Sequence, residues 1–292
     1  MTYRGRFAPS PTGPLHFGSL VAAVGSWLRA RAQNGTWLVR MEDLDRQREV
    51  HGAAQDILAT LAAFGMVSDE PVVWQSLRED VYAAAFARLG SHVFACRCSR
   101  SELEAGGSLH RGACIAGADP KRAPAWRLRV DDREIGFDDL LQGTFSQNLR
   151  RDVGDFVVRR VEGGFAYQLA VVVDDADAGI TEIVRGADLL DSTPRQIYVQ
   201  QLLGLPPLRY LHLPLVLDRE GAKLSKSDRA RPVDRGDPLP ALRAALGFLG
   251  VPVAASAGPT SVDAMLACAV PHFDLQTIRR ESGVFSGLGA RA

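Results

Sequence analysis

The chain lacks any run of apolar residues approaching the about 20 that a membrane-spanning helix requires. Its amino-terminal stretch, MTYRGRFAPSPTG, has none of the apolar core of a secretory signal. It also lacks a charge surplus: 34 basic and 34 acidic residues leave a formal net charge of +0. A nucleic-acid partner would therefore have to be held by a local basic patch and not by a global field. Cysteine is scarce, four in 292 residues, and internal repeats are absent. These absences argue against a membrane protein and a disulfide-stapled secreted domain. They leave a cytoplasmic globular chain, with a monomer as the expected state.

What is present is enough apolar sequence for a sizeable core: 46% of residues are hydrophobic and 23% charged. That length allows two domains, or one domain carrying an insertion. Arg4 to Ala8 reads as a short strand that runs into Pro9-Ser10-Pro11-Thr12-Gly13-Pro14, where no regular element can continue. From Gly18 to Ala32, Leu20, Val21, Val24, Trp27 and Leu28 recur at helical spacing, and Trp37 to Met41 reads as a second strand. Strand, Pro/Gly turn, helix and strand make a βαβ unit, the mark of an α/β fold with a parallel sheet and ligands at the carboxyl ends of its strands.

Further along, helices are predicted from Gly52 to Phe64 and after Ser76-Leu77-Arg78-Glu79, which has the form of a capping box. From about 91 to 154 the texture changes to Gly, Arg and Cys with short apolar runs, which predicts an inserted module between the two halves of a catalytic domain, 1 to 90 and 155 to 237. FVVRRVEGGFAY suggests a hairpin turning at Gly163-Gly164. LAVVVDD fits a buried strand or a buried helix, and residue statistics lean to the strand. Thr181 to Arg185 reads as a strand. Thr193, Pro194 and Gln196 combine an N-cap, a proline at N1 and a glutamine at N3 ahead of a helix that ends near Gly204. Residues 238 to 292 are Ala/Leu-rich and predicted helical, with a disordered tip at GLGARA.

Two short segments suggest phosphate chemistry. His16-Phe17-Gly18-Ser19 sits where a helix N-terminus offers free N–H groups and a positive dipole end, and Gly18 would let a nucleotide approach the backbone. Lys223-Leu224-Ser225-Lys226-Ser227, after Gly221, could close over a pyrophosphate. Taken singly, a capping histidine and a solvated basic loop are the plainer readings. In the predicted insert, Cys96-x-Cys98 and His110-x₃-Cys114 provide three sulfurs and an imidazole, a full tetrahedral set for one structural Zn²⁺. Unliganded reduced thiols are the plainer alternative there. A small module with little apolar core needs such a staple. Cys268, within AMLACAV, reads as a small buried hydrophobe.

Six segments in order carry a family resemblance: Arg6-Phe7-Ala8-Pro9-Ser10-Pro11-Thr12-Gly13, His16 to Ser19, Met41-Glu42-Asp43-Leu44-Asp45, Val184-Arg185-Gly186-Ala187-Asp188, Ser192 to Gln196, and Lys223 to Ser227. Together they resemble the catalytic core of class I glutamyl-tRNA synthetases, with Ser19 standing where the first motif often ends in histidine. The resemblance implies a Rossmann-like parallel sheet and adenylate formation from ATP, with Mg²⁺ accompanying the nucleotide. It implies His16, Lys223 and Lys226 as the catalytic set, and His16, Gly18, Ser19 and Lys226 at the ATP. It further implies a glutamate pocket of Arg6, Phe7, Ala8, Pro9, Ser10, Glu42, Tyr167 and Arg185, and a helical LAVVVDD. The residue types suit L-glutamate, since Glu42 can meet the ammonium while Arg6 and Arg185 offer forked donors to carboxylates.

Only residues 228 to 292 follow Ser227. With the His-Phe-Gly-Ser-Leu form of the first motif and the Cys-x-Cys insert, this is similar to the branch of the family that places glutamate on queuosine, at the wobble position of tRNA(Asp). Arginines scattered through the insert (Arg97, Arg100, Arg111, Arg122, Arg127, Arg129) fit an RNA-facing surface or simply a solvated one. The other readings are an ordinary glutamyl-tRNA synthetase charging tRNA(Glu) and a non-catalytic RNA-binding paralogue.

Overall fold

A computed structural model describes residues 2–107, 109–112, 114, 119–218, 220–221, 231–252 and 259–284. Strand β1 (Arg4–Phe7), helix α1 (Phe17–Ala32) and strand β2 (Thr36–Met41) form the expected βαβ unit, with Arg6 opposite Leu38 in parallel register. Helix α1 is apolar along the face that meets the sheet, and Leu20, Val24 and Leu28 have no solvent exposure. Gly25 is on that face for space: a Cβ there would lie 2.5 Å from Leu213 Cδ1.

Helix α2 (Ala53–Ala63) leads to the short strand β3 (Val73–Trp74), which pairs parallel to β2. Helix α3 (Glu79–Arg88) follows, but Ser76 does not cap it. The residue before the helix is Arg78, which makes no side-chain cap, and the Ser76 hydroxyl donates instead to Asp43 Oδ2 at 2.5 Å. A tertiary carboxylate thus outcompeted the local capping site.

Strands β4 (Val93–Cys96) and β5 (Ala125–Leu128) flank the short helix α4 (Arg100–Ala105). The hairpin of β6 (Glu134–Asp139) and β7 (Gly143–Asn148) leads through the single turn α5 (Leu149–Asp152) to β8 (Phe156–Arg159). Among the described residues, segment 91 to 154 does not form a sheet of its own. β4, β5 and β8 make one antiparallel sheet, whereas β6 pairs parallel with a later strand of the main sheet, at Asp139 opposite Tyr210. The chain reverses at Gly163-Gly164, where Arg159 and Phe165 form an antiparallel bridge.

LAVVVDD is helical, within α6 (Tyr167–Asp177), against the strand preference of its β-branched residues. Burial decided this: Leu169, Ala170, Val171 and Val172 all pack inside, so tertiary contacts override propensity. Strand β9 (Glu182–Gly186) runs into a 3₁₀ turn and helix α7 (Thr193–Leu203), which ends at a left-handed Gly204 as expected. The cap is one residue early, at Ser192, because the Thr193 hydroxyl is engaged elsewhere.

Strand β10 (Arg209–Leu213) lies between β9 and β6, giving the order β7-β6-β10-β9, and Thr181 N–H donates to the Arg4 carbonyl so that β9 abuts β1. Strand β11 (Val216–Leu217), helices α8 (Pro238–Phe248) and α9 (Val262–Ala269), and strand β12 (Gly283–Val284) complete the described chain. Cys268 is exposed on α9 and not buried: the buried residues of that helix are Met265, Leu266 and Ala269, which leaves Cys268 on the opposite face. Lys223 to Ser227 and the GLGARA tip lie outside the described residues. Among the described residues no helix is long and apolar enough to cross a membrane.

Candidate active site and metal centre

The carboxyl ends of β1, β2, β9 and β10 open on a cleft of about 570 Å³. Its wall includes Arg6, Phe7, Ala8, Pro9, Ser10, Glu42, Tyr167 and Arg185, together with His16, Gly18 and Ser19. Glu42 is tied to the Pro/Gly turn by its N–H donating to the Pro9 carbonyl at 2.9 Å. At the other wall His16 caps α1, its Nδ1 accepting from Ser19 N at 3.3 Å while its Nε2 lies 3.0 Å from Ser19 Oγ. The capping role weighed for this histidine is therefore present. No acidic residue occupies the first turn of α1, so the positive end of the dipole faces the cleft uncompensated.

Arg6 is less available than its residue type suggests. Its Nε and Nη2 donate to Asp175 at 2.9 and 3.2 Å, so one edge of the guanidinium is committed inside the protein. Arg40 joins the same carboxylate at 2.5 Å and donates to Glu42 Oε1 at 3.1 Å. Its neighbour Asp174 accepts from Gln75, Arg78 and Tyr82. Burial opposes ionisation of Asp175, yet Arg40 and Arg6 hold its carboxyl below the usual range. Burial pushes the Glu42 carboxyl up, partly offset by Arg40 and Arg6.

Arg185 is gripped from three sides: Nη2 donates to Thr193 Oγ1 at 2.7 Å, Nε to His212 Nε2 at 3.0 Å, and Nη1 lies 3.4 Å from the Tyr167 hydroxyl. Burial raises the Tyr167 phenol above its usual value. The cleft thus holds one largely buried carboxylate beside two cationic forks, with an amide-lined helix end across from them. Such a site can bind an ammonium and carboxylates together and stabilise a charged phosphoryl group nearby.

Sequence reasoning did not single out Arg40, Asp174, Asp175, His212 or Asp139. A signal existed: each is a polar residue inside or at the end of an apolar run, and a charge in such a place has to be paired.

A second cluster lies in the β4-β5-β8 region. One ligand atom each from Cys96, Cys98, His110 and Cys114 falls within 4.8 Å of the others, so these residues can hold a metal ion. His110 is the decisive observation. Its Nδ1 pairs with Asp155 Oδ2 at 2.9 Å, and its buried Nε2 has no hydrogen-bond partner among the described residues. A carboxylate on one nitrogen leaves the other as a lone pair facing the thiols, the arrangement of a metal-ligating imidazole. Gly154 permits it: the residue has φ +74°, and a Cβ there would sit 2.5 Å from the His110 carbonyl oxygen. Burial opposes ionisation of Cys96, but the Cys98 N–H and Arg127 bring its thiol below the ordinary value.

Residues 2–125 and 108–258 match the family described as tRNA synthetases class I (E and Q), catalytic domain. The chain is 57% identical over 281 residues to a Glutamyl-Q tRNA(Asp) synthetase of Burkholderia cenocepacia strain J2315, covering 91% of this chain and 94% of that protein. It is 56% identical over 283 residues to the Glutamyl-Q tRNA(Asp) synthetase of Xanthomonas campestris pv. campestris strain 8004, covering 96% and 94%. Among solved structures it is similar to a glutamate tRNA ligase of Elizabethkingia meningosepticum in complex with its amino acid. That match has TM-score 0.81 and 27% identity, and covers 98% of this chain and 67% of that one.

Proposed function

The chain belongs to the family of class I tRNA synthetases (E and Q), catalytic domain, and on that footing we propose that it activates L-glutamate with ATP and passes it to queuosine in tRNA(Asp). Activation proceeds without tRNA. The observation that carries the acceptor is the near full-length similarity, at 56 and 57% identity, to proteins named Glutamyl-Q tRNA(Asp) synthetase. For glutamate the support is the joint presence of Glu42, Arg6, Tyr167 and Arg185 on one cleft.

In the first step a glutamate α-carboxylate oxygen attacks the α-phosphorus of ATP, and the bond to pyrophosphate breaks. Negative charge grows on the non-bridging oxygens and the leaving group, which calls for donors already in place. The end of α1 with His16, Gly18 and Ser19 supplies such donors, and Lys223 and Lys226 would add their ammonium groups to them. Mg²⁺ bound with the nucleotide would neutralise phosphate charge. Glu42 takes the ammonium, and the arginines take carboxylates. In the second step a hydroxyl of the queuosine cyclopentenediol attacks the activated carbonyl, and AMP leaves. Cys96, Cys98, His110 and Cys114 would hold one Zn²⁺ in a closed structural site that brings the ends of the 96 to 114 segment together.

The test uses radiolabelled glutamate and ATP with tRNA(Asp), carrying or lacking queuosine, and with tRNA(Glu). Label is expected on queuosine-containing tRNA(Asp) alone. Label on queuosine-free tRNA(Asp), or only on tRNA(Glu), overturns the acceptor. Glutamate-dependent ATP–pyrophosphate exchange should run with no RNA added, and its absence would reject tRNA-independent activation. Lys226→Ala is expected to slow that exchange at least ~10-fold, on the scale of lost transition-state donors; an unchanged rate removes Lys226 from the catalytic set.

A further inference from the structure

The fork of Arg185 is aimed by two residues outside the cleft wall. We propose that His212 and Asp139 are positioning residues for glutamate binding: Asp139 locks the His212 tautomer, and the lone pair so exposed orients the Arg185 guanidinium. The inference rests on the reading of Arg185 as a glutamate ligand.

The geometry is specific about protons. An arginine Nε can only donate, so His212 Nε2, 3.0 Å away, must accept. His212 must then carry its single proton on Nδ1, and that atom lies 2.6 Å from Asp139 Oδ2. Asp139 is held in turn by backbone donors. Its Oδ1 accepts from Leu141 N at 3.0 Å and Gln142 N at 2.8 Å, and the His212 N–H reaches the carboxylate at 3.1 Å. Both side chains are fully buried, so water does not supply a substitute partner. The link crosses the fold: Asp139 ends β6 of the hairpin that adds to the sheet edge, His212 is in β10, and Arg185 is in β9.

Several charged or titratable groups face His212 or stack on it. Asp139 comes from β6, Arg185 from β9, Asp188 from the turn after β9, and Tyr210 stacks from two residues upstream, its ring centroid 6.3 Å away. The Thr193 hydroxyl of α7 lies 3.2 Å from Nε2. Burial and the Arg185 charge together hold the imidazole below its ordinary pKa of 6.5, against the pull of Asp139. Neutral His212 is thus the state that matches Arg185. Protonation would put an N–H against an N–H and turn the fork away from its acceptors.

The readout is the KM for L-glutamate in ATP–pyrophosphate exchange, beside the KM for ATP. Asp139→Asn keeps a carbonyl for the backbone donors but can offer an N–H to Nδ1, which allows the wrong tautomer. It is expected to raise the glutamate KM about tenfold, the scale of a lost charge-assisted hydrogen bond, with the ATP KM unchanged. In the unmodified protein the glutamate KM should stay flat above the ordinary histidine value of 6.5 and rise only as pH falls toward the lower value of the folded imidazole. His212→Gln, whose amide oxygen can accept from Arg185 without titrating, should keep a near-normal KM and lose that rise. If it keeps the rise, Glu42 is the titrating group and His212 is not. Arg185→Ala separates the two claims. A raised glutamate KM in Arg185→Ala with a normal one in Asp139→Asn defeats the positioning role alone. An unchanged KM in Arg185→Ala defeats the reading of Arg185 itself.

Discussion

Asp175→Asn is expected to destabilise the protein by about 3–5 kcal/mol, the cost of removing one partner from a buried ionic group. Asp175 is 1% exposed and is the shared counter-charge of Arg6 and Arg40, each 4% exposed. An amide of the same shape still accepts a hydrogen bond but removes the charge that Arg6 and Arg40 share, and Arg40 keeps only Glu42 and Asp174 as counter-charges. Thermal unfolding should fall by on the order of 10 °C for a chain of this size, and glutamate activation should fall with it, because Arg6 and Glu42 lose the frame that holds them.

The pH dependence has a definite sign. The folded carboxyl of Asp175 lies below the 3.8 of a free aspartate, so its contribution is complete above that value and is lost as pH falls toward the folded value. Arg31→Ala is the contrasting case, since it removes an ion pair with Asp69 whose side chains are 26 and 33% exposed. A loss under ~1 kcal/mol is expected there. Equal melting shifts for the two variants would refute the view that the buried network organises the cleft.

Removing the metal proposed at Cys96, Cys98, His110 and Cys114 should have the other large effect. Structural zinc of this ligand type contributes about 10–16 kcal/mol of binding free energy that is available to folding. Purified protein is expected to contain one equivalent of zinc, and Cys96→Ser to contain none; stoichiometric zinc in that variant rejects the ligand set. Chelation should expose the thiols of Cys96, Cys98 and Cys114 to alkylation and lower the melting temperature. Asp155→Asn is expected to weaken zinc binding about 10–100-fold, as loss of an outer partner of a ligating histidine does. Asp155 also accepts from Gly112 N at 2.6 Å and Val130 N at 2.9 Å, so it joins the ligand loop to the sheet beneath it.

Local chemistry was legible and remote pairing was not. The βαβ start, the proline and glycine bounds of α7 and the paired spacings Cys96-x-Cys98 and His110-x₃-Cys114 are each written in short, contiguous stretches of sequence. Ser76 shows the limit: its spacing to Glu79 is that of a capping box, yet Asp43, more than thirty positions upstream, takes its hydroxyl. LAVVVDD shows another, since β-branched residues favour strands only until burial on a helix face outweighs the preference.

Sequence alone determined which residue types this protein brings to its chemistry and in what order along the chain. Asp174, Asp175 and His212 went unmarked in it, although polar groups in apolar runs require partners. Only the tertiary structure decided who those partners are. Parallel strands bring together residues far apart in the chain, so Arg6, Arg40 and Asp175 meet through β1, β2 and α6, and Asp139 reaches His212 across 73 positions. Pairing in a buried site follows from distance in space and from the exclusion of water, and neither quantity is local in sequence.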